Sequence, residues 1–542
     1  MAQQLKVSNY LLSPGTDKST HPATMGSSWT CNMFLEKNAS NTYLASVPGL
    51  EFERRISGAA KCRGAFVSSV GLSEENQDEN AFVCFGNVIW RIGSDGVQHR
   101  IGTVAGGTAR VTFAESGGAR PFLLIADGTN LWAYNLIEGG TLNRITLPER
   151  ITAGGGMIRP SHVCVIDTVV VVNDVNTGYC YYSIPSPLRT PTRSVFQMDD
   201  QGNPVYEPDN PLKIAETQVD SFDYLFLDSY GLPQYFNAYT SSDAIVSIAA
   251  VGASLYLFGK KTVEIWQRGS GEYETWLLQS YTTNASNGLQ APYTVANVGS
   301  VLFYLGSGES YAKGIMTVNG QTYKKISEDW LDKKLLEEDT DSAFAYAYSE
   351  GNHQFYVLQL VHNKETWVYD TETAEWAERR SRQPKSEEET AWRPYAMIWF
   401  RNGFHAFAND GCEYRFSPEY WYEDFGSREN RLPVIRHRQG AVLVNDEKRF
   451  LLEELGIECN VGCWDDYSLS PDLLLQVSRD GGNTFGNVKS CSLGKTGNYS
   501  HRVRYHHLGM MRLGVLRLTY SHPTSLELTA CSIRISTTGD VL

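Results

Sequence analysis

Residues 122–134 read FLLIADGTNLWAY, and residues 255–266 read LYLFGKKTVEIW. Each stretch is an apolar run, a tight polar turn and a second short strand that carries an aromatic residue. The same unit recurs at 81–90, 355–369 and 404–416. A strand-turn-strand unit with a period of about 45 residues is typical of β-propellers and related radial arrays. The sequence therefore predicts an all-β fold built on a propeller.

Aromatic and apolar anchor residues indicate the number of blades. Apart from one longer gap, they recur at roughly the same period, at Trp90, Trp132, Tyr181, Trp266, Met316, Trp367 and Tyr414. This spacing predicts six or seven blades over residues 61–430, preceded by an N-terminal arm, residues 1–60, that leads into the first blade. From residue 431 the strands lose the blade period. Residues 431–542 are therefore predicted to form a separate C-terminal β-sandwich-like domain.

Two polar segments interrupt the blade pattern. Residues 183–216 are proline-rich. Because proline cannot donate a hydrogen bond to a sheet ladder, we expect this segment to form a surface excursion. Long loops of this kind are often functional or disordered. Residues 378–393 read ERRSRQPKSEEETAWR and are predicted as an exposed loop, in the simplest interpretation a solvated connector. The candidate interface residues in the two segments are Arg189, Arg193, Tyr206, Arg380 and Arg382. One short helix is predicted in SEDWLDKKLLEED, with Ser327 as its N-cap.

The overall composition limits the possible functions. The 542-residue chain has 47 basic and 61 acidic residues, a net charge of −14. This argues against a surface that clamps nucleic acid, although an acidic lumen would let DNA slide past without sticking. We expect no signal peptide, because no basic region leads into an apolar run at the start of the sequence. We also expect no membrane-spanning helix, because no uninterrupted apolar run is long enough. The ten cysteines are scattered among strands, as is typical of reduced thiols.

No residues have the spacing of a catalytic, cofactor or metal site. Cys459 and Cys463 are the one close cysteine pair, and neither a second pair nor a histidine stands at zinc-site spacing. Glycine-rich stretches at 105–108 and 152–156 do not continue into a phosphate-binding motif. We therefore expect no enzymatic activity, no cofactor and no metal.

Residues 478–485 read SRDGGNTF, which fits the Asp-box pattern S-x-D-x-G-x-T-[WF]. The aspartate is expected to accept hydrogen bonds from turn amides, while a glycine allows positive φ. The residues of this structural turn are Ser478, Asp480, Gly482, Thr484 and Phe485. Sugar-cleaving propellers carry several such boxes, so a glycan-binding or glycan-cleaving propeller used in receptor recognition is the alternative function. A glycosidase needs two carboxylates across a cleft, and none stand at a diagnostic spacing.

The densest basic stretch of this acidic chain is residues 501–517, HRVRYHHLGMMRLGVLR. Strand alternation would place many of its basic residues on one face. Two interpretations stay open: a solvated face, or a docking surface for an acidic partner subunit. The candidate docking residues are Arg502, Arg504, His506, His507 and Arg512.

Several motifs form a series in a fixed order. They are YLASVPG at 43–49, DAIVSIAAVGASLYLFGKKTVEIWQR at 243–268, SRDGGNTFG at 478–486, HRVRY at 501–505, LGMMR at 508–512 and SHPT at 521–524. In order and spacing the series resembles the packaged-DNA-stabilisation proteins, the tail hub or nozzle proteins, of short-tailed bacteriophages. The resemblance covers most of residues 43–542 and is weakest over 60–220, and the segment 183–216 is longer than the family leads us to expect.

The resemblance implies a virion structural protein that is made in the host cytoplasm and located in the tail. It implies a homohexameric ring below the portal and its head-to-tail adaptor ring. Double-stranded DNA would pass through the channel of this ring without sequence-specific binding. A tail plug or needle would seal the ring, and tailspikes or fibres would attach nearby.

Overall fold

The structure is a computed structural model. It describes residues 4–8, 11, 28–37, 42–68, 70, 79–117, 120–151, 155–185, 192–238, 243–269, 276–281, 288–307, 313–445, 448–464 and 469–537. Within these ranges the chain is almost entirely β-structure and forms a propeller and a β-sandwich. The predicted all-β fold, a propeller followed by a sandwich, is confirmed. The propeller has seven blades.

Five strands precede the first complete blade. They are β1 (Gln4–Ser8), β2 (Trp29–Cys31), β3 (Met33–Lys37), β4 (Thr42–Ser46) and β5 (Leu50–Arg55). Only β5 belongs to a propeller blade, whereas β1, β3 and β4 join one sheet of the sandwich and β2 joins the other. The start of the chain therefore contributes strands to both parts of the molecule.

Blades 1 and 2 are four-stranded antiparallel sheets in chain order. Blade 1 contains β6 (Cys62–Ser68), β7 (Asn80–Phe85), β8 (Val88–Ile92) and β9 (Gln98–Thr103). Blade 2 contains β10 (Thr112–Glu115), β11 (Phe122–Ala126), β12 (Leu131–Asn135) and β13 (Gly139–Ile145). The second strand of each blade is buried along its whole length. This burial explains the continuous apolar runs that mark the blades in the sequence.

Blade 3 has a hairpin inserted before its last strand. Its strands are β14 (Val163–Ile166), β15 (Val169–Asn173), β16 (Tyr179–Tyr182) and β21 (Tyr235–Asn237). Inside the insertion, β17 (Thr192–Phe196) pairs with β20 (Glu216–Asp220), and β18 (Tyr206–Glu207) pairs with β19 (Asn210–Ile214). We call residues 192–220 the acidic hairpin. Arg189 lies outside the described residues.

Blades 4 and 5 follow, and one helix comes after them. Blade 4 contains β22 (Ile245–Val251), β23 (Ser254–Gly259), β24 (Val263–Arg268) and β25 (Trp276–Tyr281). Blade 5 contains β26 (Gly288–Leu289), β27 (Ala296–Val298), β28 (Val301–Ser307), β29 (Gly314–Asn319) and β30 (Thr322–Lys325). The helix α1 spans Asp329–Glu337, and its N-cap is Glu328 rather than the predicted Ser327. The Ser327 hydroxyl instead accepts a hydrogen bond from the Ile315 amide.

Blades 6 and 7 complete the propeller. Blade 6 contains β31 (Phe344–Glu350), β32 (His353–Leu360), β33 (Glu365–Asp370) and β34 (Glu375–Arg382), with β35 (Glu389–Ala391) paired to β34. Blade 7 contains β36 (Ala396–Phe400), β37 (Gly403–Phe407), β38 (Cys412–Phe416) and the N-terminal β5, followed by β39 (Tyr422–Asp424) and β40 (Arg431–Pro433). A late strand paired with an early strand closes the ring. Apolar clusters lie between successive blades, and the last joins Phe407 of blade 7 to Phe85 of blade 1.

The sandwich is formed by seven C-terminal strands and four N-terminal strands. The C-terminal strands are β41 (Arg436–Gln439), β42 (Phe450–Cys459), β43 (Asp472–Ser478), β44 (Lys489–Ser492), β45 (Val503–Met511), β46 (Val515–Tyr520) and β47 (Leu528–Thr537). One sheet has the order β3-β4-β47-β42-β45, with β1 beside β47, and the other has the order β2-β41-β46-β43-β44. Residues such as Leu455, Leu475 and Ile533 form one apolar core between the sheets.

Blade 6 and the sandwich share a continuous sheet. Strand β2 pairs in parallel with β34, Cys31 opposite Glu378, and antiparallel with β41. The prediction that residues 378–393 form an exposed loop is wrong for β34, where Glu378 and Arg379 are fully buried. Their charge pattern was misleading because the partners that bury them come from the other end of the chain. None of the helical structure in the described ranges is long and apolar enough to cross a membrane.

Candidate docking surfaces

Side chains close the axis of the propeller. Arg110, just before blade 2, places its guanidinium 4.1 Å from the centre of the Phe344 ring of blade 6. Its Nη2 donates a hydrogen bond of 3.0 Å to the carbonyl of Tyr395, which leads into blade 7. Burial lowers the pKa of the Arg110 guanidinium. One basic side chain thus links blades on different sides of the axis.

A second contact across the axis joins blade 3 to blade 5. The rings of His162 and Tyr293 stack with their centres 5.0 Å apart, and His162 Nε2 lies 3.0 Å from the Pro292 carbonyl oxygen. Burial lowers the pKa of His162 to about 4, so the ring is neutral at pH 7. Together with Arg110, this contact makes the centre of the propeller a packed core, as is common in small propellers.

A cavity of about 380 Å³ opens beside this packed centre. Its polar lining side chains are Ser161, Asn176, Lys260, Gln290 and Asp341. Glycosidases of the usual kind hold a pair of carboxylates on either side of the scissile bond. Among the described lining residues, Asp341 is the one carboxylate. This geometry does not favour the glycan-cleaving alternative.

The Asp-box residues form a local turn after β43. The Asp480 carboxylate accepts hydrogen bonds from the Ser478 hydroxyl at 2.6 Å and from the Thr484 amide at 2.9 Å and hydroxyl at 2.6 Å. These hydrogen bonds hold the pKa of Asp480 at about 2. Gly482 has φ +99°, a value that disfavours other residues. The Phe485 ring lies 3.8 Å from the Arg517 guanidinium, so each side chain of the box has a role in folding the turn.

All five candidate docking residues of the C-terminal domain are exposed. Strand alternation along β45 directs Val503 and Tyr505 into the core and Arg504 and His506 outward. His507 has φ +55° at a register shift opposite β42. We call the exposed basic side chains of this outer surface the basic face. They are Arg502, Arg504, His506, His507 and Arg512 together with Arg534 of β47.

Few acids neutralise the basic face. Glu454 of β42 lies 3.4 Å from both Arg504 and Arg534 and 3.7 Å from His506. Glu458 is exposed on the same strand. Neither Arg502 nor Arg512 forms an ion pair within the described part of the chain. The surface therefore retains a local positive charge in a protein of net negative charge.

The predicted interface residues of the acidic hairpin have different roles. Arg193 donates hydrogen bonds to the carbonyls of Tyr224 at 2.7 Å, Leu227 at 2.9 Å and Asp228 at 3.2 Å. It therefore fastens the base of the hairpin to the following loop. Tyr206 is half exposed on the distal ladder, where a partner could contact it.

Arg380 and Arg382 are used at the junction between blade 6 and the sandwich. Arg380 Nε lies 2.6 Å from Glu378 Oε1, and the other oxygen of Glu378 accepts a hydrogen bond of 2.8 Å from the Trp29 indole. The Trp29 ring stacks on His437 with centres 4.9 Å apart. Arg382 donates a hydrogen bond to the Pro433 carbonyl. Arg380, which also stacks on the Trp29 ring of β2, therefore holds blade 6 to the sandwich, whereas Arg382 joins blade 6 to β40 of blade 7.

Glu389 extends the junction network. Its two oxygens each lie 3.0 Å from a nitrogen, one from Arg380 Nη1 and the other from His437 Nε2. Burial opposes ionisation, but His437 and Arg380 outweigh it and hold the pKa of Glu389 at about 2. The junction is therefore cross-linked by ionised groups as well as by strand pairing.

A second charged cluster fixes the N-terminal hairpin β3–β4 to blade 6. His353 is buried and lies 2.8 Å from Asp370 and 3.0 Å from Glu36 of β3. Because a carboxylate can only accept, both ring nitrogens carry a proton when both contacts are made. Arg379 beside them donates a hydrogen bond to the Met33 carbonyl. The cluster joins residues that are more than 300 positions apart in the sequence.

The cysteines show the pattern of a reduced protein. All ten are free thiols, and most are buried in strands. No group of three or more metal-ligating side chains occurs within the ranges that the structure describes.

Comparison with protein-family models identifies the family of this chain. Residues 223–410 match the family model described as bacteriophage P22 Gp10, beta-propeller, and residues 435–536 match the one described as bacteriophage P22 Gp10, beta-sandwich. Together these matches span more than half of the chain. The chain belongs to the bacteriophage P22 Gp10 family.

Membership of the Gp10 family confirms the predicted resemblance to the packaged-DNA-stabilisation proteins. The protein is a structural component of a phage virion tail, of the P22 Gp10 type. The family is structural and not enzymatic. No curated protein sequence matches the chain.

Solved structures show only remote likeness. A virginiamycin B lyase from Staphylococcus aureus is 10% identical, with 68% of this chain and 98% of that chain covered and a TM-score of 0.38. YCF48 from Cyanidioschyzon merolae is 9% identical, with 68% and 99% covered and a TM-score of 0.36. A streptogramin B lyase is 9% identical, with 68% and 96% covered and a TM-score of 0.35.

In this Gp10-family chain the predicted residues fall into three separate groups, at the Asp box and basic face, on the acidic hairpin and at the junction. Sequence reasoning missed Trp29, Glu378 and His353, which hold the junction. The sequence signal for Glu378 was the density of charges in 378–393, which favoured a loop, and no local pattern marked Trp29 or His353. It missed Arg110 as well, since a single arginine before a blade carries no pattern.

Proposed function

We propose that the chain is one subunit of a six-membered tail hub, or nozzle. The ring continues the DNA channel below the portal and its adaptor ring, and it retains the packaged genome. Family membership supports a tail role, and the closed propeller axis supports a ring. Because Arg110, His162 and their partners fill that axis, any channel for DNA is formed between subunits rather than within one.

The width of the DNA duplex supports a channel that forms between subunits. The major groove of B-form DNA alone is about 12 Å wide, whereas the axis of this propeller is crossed by hydrogen bonds of 3.0 Å. A monomer therefore offers no passage. Several copies around a common axis provide one without any change in the blades.

The charge of the chain suits a channel that does not hold DNA. Proteins that bind DNA tightly neutralise phosphates with lysine and arginine, and this chain has a net charge of −14. A lumen lined by carboxylates keeps the duplex mobile for ejection. In this proposal the adaptor ring, a tail plug or needle, and spikes or fibres bind to the outer and end surfaces of the ring.

Labelling this chain in intact particles tests the proposal. A small epitope tag would be placed in the exposed turn at residues 319–321, away from the acidic hairpin, and tagged particles would be imaged by electron microscopy. We expect label at the tail vertex and six-fold averages of a ring around the DNA channel. Label on peripheral fibres, or a single copy at the vertex, would contradict the hub and favour a receptor-directed role.

A further inference from the structure

The acidic hairpin has almost no packing of its own. It consists of two short two-stranded ladders, β17–β20 and β18–β19, and its one buried apolar side chain is Val195. Two-stranded ribbons are at best marginally stable alone in water. The distal part exposes apolar side chains: Leu212 is 92% exposed, Tyr206 50% and Val205 37%. Such a concentration on a protruding element is typical of a contact surface.

The charges of the hairpin have one dominant sign. Residues 192–220 contain six carboxylates and two basic side chains. The two basic side chains are already engaged, Arg193 with backbone carbonyls at the base and Lys213 with Glu207 at 2.7 Å. Asp200 and Asp209 are exposed and have no ion-pair partner among the described residues. The hairpin thus presents an apolar tip with a negative rim.

The basic face has the opposite arrangement of charge around a similar apolar centre. Leu451 of β42 and Met510 of β45 are cross-strand neighbours, 36% and 46% exposed. Arg512 follows Met510 by two residues, and Arg534 of β47 stands two residues from Ser536, the partner of Leu451. Arg502 and Arg504 lie towards the other end of β45. Protein interfaces commonly combine an apolar centre with a polar rim, and charges of opposite sign fix partner and register.

The two surfaces lie on different sides of the propeller. The hairpin belongs to blade 3, and the sandwich is joined to blade 6 through β34 and β2. Blades 3 and 6 are three blades apart in one direction and four in the other, the greatest separation in a ring of seven. The returning arm of the hairpin, β19 followed by β20 over residues 210–220, is roughly 35 Å long at about 3.3 Å per residue, a length that allows contact with a neighbouring subunit.

We propose that the acidic hairpin of one subunit lies across the basic face of a second copy of this chain. The contact is heterologous, because two different surfaces meet, and heterologous contacts that close generate rings. It rests on the ring proposed above and names the surfaces that form it. It also gives the hairpin the packing that it lacks in the single chain.

Charge reversal in both surfaces tests the contact. The hairpin variant carries Asp200→Lys and Asp209→Lys, the face variant carries Arg502→Glu and Arg512→Glu, and a third variant combines all four substitutions. The control, Glu337→Lys with Glu372→Lys, changes the net charge by the same amount and sign as the hairpin variant, at exposed sites elsewhere. Each variant would complement phage lacking the chain, and copies per purified particle would be counted by quantitative mass spectrometry. Unchanged thermal unfolding of each purified variant verifies its folding.

We expect each two-site variant to reduce incorporation at least about tenfold, because like charges facing each other cost several kcal/mol. The combined variant should regain most of the loss, and the control should incorporate normally. Normal incorporation of both two-site variants would overturn the contact while leaving the ring intact. Loss without rescue would overturn it too, by assigning the hairpin to another tail protein. Absence of wild-type rings from the vertex would instead reject the hub itself.

Discussion

The junction of blade 6 with the sandwich and the acidic hairpin of blade 3 are both rich in charge, yet they use it in opposite ways. At the junction, Glu378 and Arg379 are fully buried and engaged with the N-terminal segment. On the hairpin, Asp200 and Asp209 project into solvent. A charged residue in the sequence therefore does not by itself predict whether that position is exposed or buried. Its role depends on whether another part of the chain supplies a partner.

The difference in burial predicts a difference in energetic effect. Breaking a buried ion pair leaves an uncompensated charge and is costly, whereas exposed charges contribute little to stability. Substitutions at the junction should therefore change the stability of the folded chain, and substitutions on the hairpin should change only assembly.

Glu378→Ala should give the largest loss of stability. It leaves Arg380 without its buried carboxylate and the Trp29 indole without its acceptor, so we expect the free energy of unfolding to fall by about 3–5 kcal/mol. Urea titration followed by tryptophan fluorescence measures the change. Glu378→Gln is the matched control, since it can still accept from the indole and should lose less. Equal losses in the two variants would show that the charge at this position is unimportant.

Glu350, at the end of β31, should make the junction sensitive to pH. Burial raises the pKa of Glu350 to about 8, although Arg379 and His353 favour its ionised form. The folded protein thus keeps a proton that the unfolded chain releases near pH 4.3. The stabilisation that this proton gives to the folded state is complete below about pH 4 and is lost as the pH rises towards 8.

Glu350→Gln should remove this dependence. At pH 8 the variant should be more stable than the wild type by several kcal/mol, up to about 5 kcal/mol, since raising the pKa from about 4.3 to about 8 is worth about 1.4 kcal/mol per pH unit. Melting temperatures measured from pH 5 to pH 9 would show a flatter profile for the variant. Glu372→Gln, at an exposed position in the same blade, is the control. A variant whose profile runs parallel to the wild type would contradict the buried, protonated carboxyl.

Leu212→Ser should have the smallest effect on folding. The side chain is 92% exposed in the single chain, and surface substitutions usually change stability by less than about 0.5 kcal/mol. Leu455→Ser, in the sandwich core, is a contrasting control and should cost several times more in the same urea titration. A large loss for Leu212→Ser would mean that the hairpin is folded against the body of its own subunit.

The sequence predicted where strands form better than it predicted which distant parts of the chain pack against them. Strand β11 and strand β23 were evident from their apolar runs, because burial on both faces leaves a direct mark in composition. The Asp box was evident because its hydrogen bonds are local, from Ser478 to Thr484. The basic stretch at 501–517 was evident as well, since alternation along one strand decides which side chains face outward.

The junction was not predictable in the same way. Segment 378–382 has the composition of a loop, and only its partners make it a strand. Trp29 and Glu378 are 349 positions apart, and no local pattern encodes a contact of that separation. The hydrogen bonds of Arg193 were not predictable for a similar reason, because its acceptors are backbone carbonyls, which every residue has.

Blade period and motif order are properties of short segments, so the sequence was enough to predict an all-β protein of the P22 Gp10 type. The seven blades closed by β5, the axis filled by Arg110 and His162, and the completion of the sandwich by the start of the chain became evident from the three-dimensional fold. Those features depend on groups far apart in sequence. Buried polar groups need hydrogen-bond partners, and the fold determines which residues lie close enough to supply them.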